Sequence, residues 1–264
     1  MQEFDRSAAA RALLRWYADA GVDEAVGATP VDRFETGTEK PSLAQRPVVP
    51  SVTVIAPAAQ PSVDEAVSLA NRLAAACASH EDLAAAVGGF EGCPLKAGAR
   101  NTVFADGVPG APLLVIGEAP GRDEDAAGKP FVGRAGQLLD KMLAAIGRSR
   151  TTDTLITNVI YWRPPGNRAP TQAEIAVCRP FVERLIEITA PKAILLAGGA
   201  PTQALLGLSG IMRARGAWRE INLASGARFA ALPIFHPAFL LRQPAQKRLA
   251  WADLQTLAAR LRDA

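Results

Sequence analysis

The sequence predicts an α/β fold, with a short, mostly parallel sheet covered by helices on both faces. Three observations predict it. Four short apolar runs, at 113–117, 154–160, 193–198 and 229–235, are flanked by Gly or Pro. Segments with the length and pattern of helices follow them, at 134–147, 171–188, 201–207 and 245–262. Strand and helix alternate from residue 112 onward with no internal repeat, and near-continuous apolar strands suit a sheet buried on both sides.

Taken in order, residues 1–27 read as an N-terminal helical segment, with a helix at 5–20 carrying Leu13, Leu14, Trp16 and Tyr17. Residues 28–61 are rich in proline and read as an extended linker. The compact domain is expected at 62–264. Ser62 and Glu65 form a capping-box pattern, after which Val67, Ala70, Leu73 and Cys77 recur near helical spacing. A second short helix is expected at 81–88. Thr171 and Glu174 form another capping box, Pro201 suits a first helical turn, and Pro180 is expected to kink its helix.

Composition narrows the function classes. With 264 residues, 49% of them hydrophobic, the chain can bury a full core. A net charge of +3 is compatible with a polyanionic partner without demanding one. No run of about 18 uncharged apolar residues is present, so no membrane partner is expected. The N-terminus, with Asp5 and Arg6, lacks a signal peptide's apolar stretch. Three widely spaced cysteines argue against a disulfide framework. A cytoplasmic, nucleoid-associated, monomeric protein is expected.

Two loops carry the candidate chemistry. Gly117-Glu118-Ala119-Pro120-Gly121 follows one strand, and Phe235-His236-Pro237 follows another. In an open parallel sheet such loops lie at the carboxyl ends of the strands, where ligands bind. Glu118 is either a solvated loop carboxylate or a catalytic one. A phosphate cradle is a further reading, disfavoured because no Walker lysine follows and the carboxylate would repel phosphate. His236 is one of two histidines, held at a strand end by Pro237; His80 receives no role. Phe131 is either core packing or a base-stacking ring flanked by the cations Lys129 and Arg134. Asn158, at the end of a strand, is either a turn residue or an amide able to pair with both a carbonyl and an N–H of a base edge. Arg163 and Arg168 lie in a stiff basic loop. Phe239, Leu240 and Leu241, followed by Arg242, either cap the core or form an apolar wedge for a duplex.

These motifs, in this order, resemble the uracil-DNA glycosylase superfamily: Gly-Glu-Ala-Pro-Gly, then Gly-Lys-Pro-Phe-Val-Gly-Arg-Ala-Gly, then Thr-Asn-Val and Arg-Pro-Pro-Gly-Asn-Arg, then His-Pro-Ala-Phe-Leu-Leu-Arg. They are most similar to family 4, over about residues 90–262. The resemblance implies a three-layer α/β/α sandwich around a short four-stranded parallel sheet. It implies hydrolysis of the N-glycosidic bond of deoxyuridine in single- and double-stranded DNA. It implies catalytic roles for Glu118 and His236, with Ala119, Phe131 and Asn158 around the uracil. It implies DNA contacts from Lys129, Arg134, Arg163, Arg168, Phe239, Leu240, Leu241 and Arg242. Non-catalytic binding of damaged DNA and an unrelated nucleotide-binding function remain as alternatives.

The chain departs from the family at two places. Ala119 stands where the best-known branch has a water-activating aspartate, a change that family 4 already tolerates. The [4Fe–4S] cluster usual in family 4 takes four cysteines. Here only Cys93 and Cys178 match; Phe90 and Trp162 occupy the other two positions, and Cys77 sits at the wrong spacing. No cofactor is therefore expected, with apolar packing in the cluster's place. The alternative is a cluster using Cys77 and a non-cysteine ligand.

Overall fold

The structure, a computed structural model, describes residues 62–263. The expectations for the N-terminal helix and the linker lie outside those residues.

Two capped helices come first. In α1 (Val63–Ala76) the Ser62 hydroxyl accepts from the Glu65 N–H while the Glu65 carboxylate accepts from Ser62 N–H. Ser79 and Asp82 repeat the arrangement at α2 (His80–Gly89). Such reciprocal caps satisfy amide groups that an isolated helix end leaves unpaired.

The sheet then assembles from β1 (Ala105–Gly107), β2 (Leu113–Gly117), β3 (Thr154–Asn158), β4 (Ala193–Ala197), β5 (Arg219–Asn222) and β6 (Arg228–Ile234). Their order across the sheet is β1-β3-β2-β4-β6-β5. The inner four are parallel, with Leu114 beside Leu155 on one side and Ile194 on the other. Both edge strands are antiparallel. The expected four-stranded parallel sheet is thus corrected to six mixed strands. β1 has only three residues, among them Asp106, and β5 buries a single side chain, Ile221. Edges of that kind carry no apolar run, and a short polar edge also discourages pairing with another chain.

Alternation along the inner strands separates two cores. Leu114, Ile116, Ile194 and Leu196 face α1, α2 and α5 (Gln172–Thr189), packing with Leu83, Phe181 and Leu185. Leu113, Val115, Leu195 and Leu232 face α4 (Arg134–Ala144) and α9 (Lys247–Asp263), packing with Leu139, Leu143 and Leu257. That is the layered α/β/α arrangement. Pro180 lies inside α5 without ending it. The chain also forms α3 (Arg122–Ala127), α6 (Gly199–Leu206), α7 (Ile211–Ala214) and α8 (Pro237–Arg242). The last of these puts a helical turn directly after the His236 loop, where the sequence suggested no helix: Pro237 starts it and His236 caps it.

Candidate active site

The chain runs from β2 to β3 on one side and later to β4 on the other, so the connection reverses direction at β2. A crevice opens at such a switch point. Here it is a cavity of about 530 Å³ whose walls include Glu118, Ala119, Phe131, Asn158, His236 and Arg242. Glu118 comes from the end of β2, Asn158 from β3, and His236 from just beyond β6.

The ends of β2 and β3 are knitted together. Val159 N–H donates to Gly117 O at 3.0 Å and Ile160 N–H to Glu118 O at 3.1 Å. Gly117 is needed at this point. A Cβ there would lie 2.5 Å from the Phe131 ring and would collide with the side-chain amide oxygen of Asn158. Asn158 is only 2% exposed, yet no protein group among the described residues engages its side-chain amide, which leaves it for a ligand. The Glu118 carboxylate likewise has no side-chain hydrogen bond among the described residues. It is half-buried, and burial pushes its carboxyl above the ordinary carboxylate value.

His236 combines three constraints. Its Nδ1 accepts from Ala238 N–H at 3.1 Å, capping α8. A neutral ring whose Nδ1 accepts carries its proton on Nε2, which is then the available donor. Burial, reinforced by the Arg242 cation and opposed by Glu124, lowers its pKa from 6.5 to about 4. The ring is therefore neutral at physiological pH. Phe131 lies nearly parallel to it, with centroids 5.6 Å apart and planes at 28°.

Phe131 itself has φ of +53°, a left-handed backbone unusual for an aromatic residue. Glu124 supports the loop in which it sits. Its carboxylate accepts from Gly121, Val132 and Gly133 N–H groups at 2.9–3.1 Å. Sequence reasoning missed Glu124. The available signal was its place three residues after Gly121 at the start of α3.

The basic and apolar candidates separate. Arg242 is exposed and borders the cavity. Arg134 is exposed at the start of α4 without an ion pair among the described residues. Lys129 instead pairs with Asp106 at 3.1 Å. Arg168 grips the Glu174 carboxylate with two hydrogen bonds, at 2.6 and 2.9 Å, while bordering the cavity. Arg163 donates to Asn167. Leu240 is 1% exposed and belongs to the core, which corrects its expected place in an exposed wedge. Phe239 is half-buried against Phe235, with centroids 5.0 Å apart, and Leu241, 36% exposed, is the residue turned outward.

The four positions that the family resemblance matches to cluster ligands, Phe90, Cys93, Trp162 and Cys178, are all buried. Phe90 lies 6.4 Å from Trp162, near-parallel, and edge-on to Phe181 at 5.1 Å. Trp162 Nε1 donates to Thr102. The Cys93 and Cys178 thiols are hydrogen-bonded, and that bond together with burial pushes the Cys178 thiol well up. Cys77 donates its thiol to Leu73 O. Two thiols, one held protonated, and two aromatic faces do not fit a four-thiolate cluster. No group of three or more potential ligands is found among the described residues.

Comparison with known proteins gives the chain's family. The model of the uracil DNA glycosylase superfamily matches residues 104–255. A type-4 uracil-DNA glycosylase of Archaeoglobus fulgidus is 40% identical over 157 residues, covering 58% of this chain and 78% of that protein. The type-4 enzyme of Pyrobaculum aerophilum is 38% identical over 158 residues, covering 58% and 80% respectively. That of Thermotoga maritima is 34% identical over 165 residues, covering 62% and 84%. The cavity at the sheet's switch point therefore sits within a matched domain, and the chain belongs to the uracil DNA glycosylase superfamily.

Proposed function

We propose that this protein extrudes deoxyuridine from DNA and hydrolyses its N-glycosidic bond, leaving an abasic site. The observation that carries the reading is the convergence of Glu118, Phe131, Asn158 and His236 on one cavity. The C1′–N1 bond breaks with its electron pair going to uracil, while positive charge builds on the sugar. The His236 Nε2 proton is suited to uracil O2, where the anion's charge accumulates. Losing one such donor typically costs about 100- to 1000-fold. Glu118, ionised, is suited to stabilising the sugar cation and to orienting the water that adds to C1′. The departing uracil takes up a proton from solvent. The Asn158 amide is suited to the base edge and the Phe131 ring to its face.

Extrusion is needed because these atoms are buried in stacked DNA. It costs a few kcal/mol, least for mismatched or unpaired bases. Uracil opposite guanine and uracil in single strands are therefore the favoured substrates. Exposed Arg134, Arg242 and Leu241 suit the DNA surface and the gap left behind, with Arg163 adding positive charge and Lys129 and Arg168 able to meet phosphate only in competition with Asp106 and Glu174. No lysine among the described residues borders the cavity, which supports turnover without a Schiff base. The aromatic packing of Phe90 and Trp162 stands in place of an iron–sulfur cluster, and the enzyme acts as a cytoplasmic monomer.

Free uracil released from a deoxyuridine oligonucleotide, together with an alkali-labile abasic site, tests the reaction. A borohydride-trapped protein–DNA adduct would contradict the monofunctional mechanism. Stoichiometric iron and sulfide in anaerobically purified protein would contradict the packing account.

A further inference from the structure

Arg150 lies outside the cavity, in the connection before β3, and takes no part in the chemistry above. Its surroundings are nonetheless unusual. The side chain is 14% exposed. Nη2 donates to Phe131 O at 2.8 Å, and Nη1 to Pro130 O at 3.2 Å. Nη1 also meets Asp106 at 3.0 Å, and Nε meets Asp140 at 2.8 Å. One guanidinium therefore joins edge strand β1, helix α4 and two consecutive carbonyls of the loop that carries Phe131. Its fixed fork of donors makes this possible; an ammonium has no such geometry.

The loop needs that support. Phe131 is the one residue there held at positive φ without being glycine, a backbone state that persists only where its surroundings impose it. Its carbonyl also packs directly onto Gly136 of α4, where any Cβ would overlap it. Glu124 holds the next two N–H groups.

We propose that Arg150 is a positioning residue for base recognition, holding the Phe131 backbone in the left-handed conformation that presents its ring beside His236. Asp106 and Asp140 anchor the clamp. The inference rests on the proposed glycosylase reading, in which the Phe131 ring stacks on the extruded base.

The test is a double-mutant cycle with uracil release from a deoxyuridine oligonucleotide as the readout. Arg150→Gln is expected to lower kcat/KM by about 10- to 100-fold, the scale of a misplacement near 1 Å. In a Phe131→Gly background, where the ring is absent and positive φ is unstrained, the same substitution is expected to cost less than about threefold. Arg150→Lys, which keeps the charge toward both aspartates, carries the same comparison if Arg150→Gln does not fold. An equal loss in both backgrounds, or no loss in either, would overturn the clamp. If the wild type released no uracil, the glycosylase reading itself would fail, and that result is distinct from either of these.

Discussion

Replacing His236 with asparagine separates the histidine's titration from its structural role. Asparagine is among the best N-cap residues, so the variant keeps an acceptor for Ala238 N–H while losing the ionisable ring. In the wild type the folded pKa is about 4 against an ordinary 6.5. Between those values the unfolded chain binds more protons than the folded one, so stability falls as pH falls. The penalty is small at pH 7 and grows to about 2 kcal/mol at pH 5 and about 3 kcal/mol at pH 4. Urea unfolding of both proteins at pH 7, 5 and 4 reads it directly. The wild type is expected to lose that much stability relative to His236→Asn on acidification. Parallel pH curves would refute a buried, neutral imidazole.

Three further outcomes follow from the site. Glu118→Gln is expected to raise the melting temperature at pH 7, because burial raises the Glu118 pKa and stability is lost as pH rises through it. The gain should vanish at pH values where the native carboxyl is protonated, while kcat at pH 7 falls by about 100-fold or more; an unchanged kcat would remove Glu118 from the chemistry. Gly117→Ala is expected to lower kcat/KM by about 100-fold through displacement of Phe131 and Asn158, with an overpacking cost of about 1–3 kcal/mol in urea unfolding; wild-type kinetics would show the Gly117 contact to be unimportant. Leu241→Ala is expected to slow uracil release from duplex DNA by up to about tenfold, part of the unstacking cost, with little effect on single strands; equal effects on both substrates would contradict a gap-filling role.

What the sequence revealed depended on whether a side chain's partner could be guessed from its own neighbourhood. The four inner strands were legible because burial on both faces forces a continuous apolar run, as in Leu113 to Ile116. β1 and β5 were not, since Asp106 and the exposed Arg219 and Glu220 give no period. Glu118, Asn158 and His236 were legible as polar residues ending apolar runs. In Phe239, Leu240 and Leu241 the facing of each residue depends on the helical turn α8, which puts Leu240 in the core and Leu241 outside. Arg150 and Glu124 were hidden because they bind main-chain atoms, those of Arg150 being 19 and 20 residues away in sequence. No pattern of side-chain types reports such bonds.

On the proposed function, Asn158 and His236 read and release uracil from one cavity. That reading is tested most directly by a labelled single-stranded oligonucleotide carrying one deoxyuridine, incubated with wild type, Asn158→Ala and His236→Ala and then cleaved with alkali. Strand cleavage by the wild type is expected, with each variant slower by about 100-fold or more. Wild-type protein that binds this DNA tightly without releasing uracil would contradict it and identify a damage-binding protein instead.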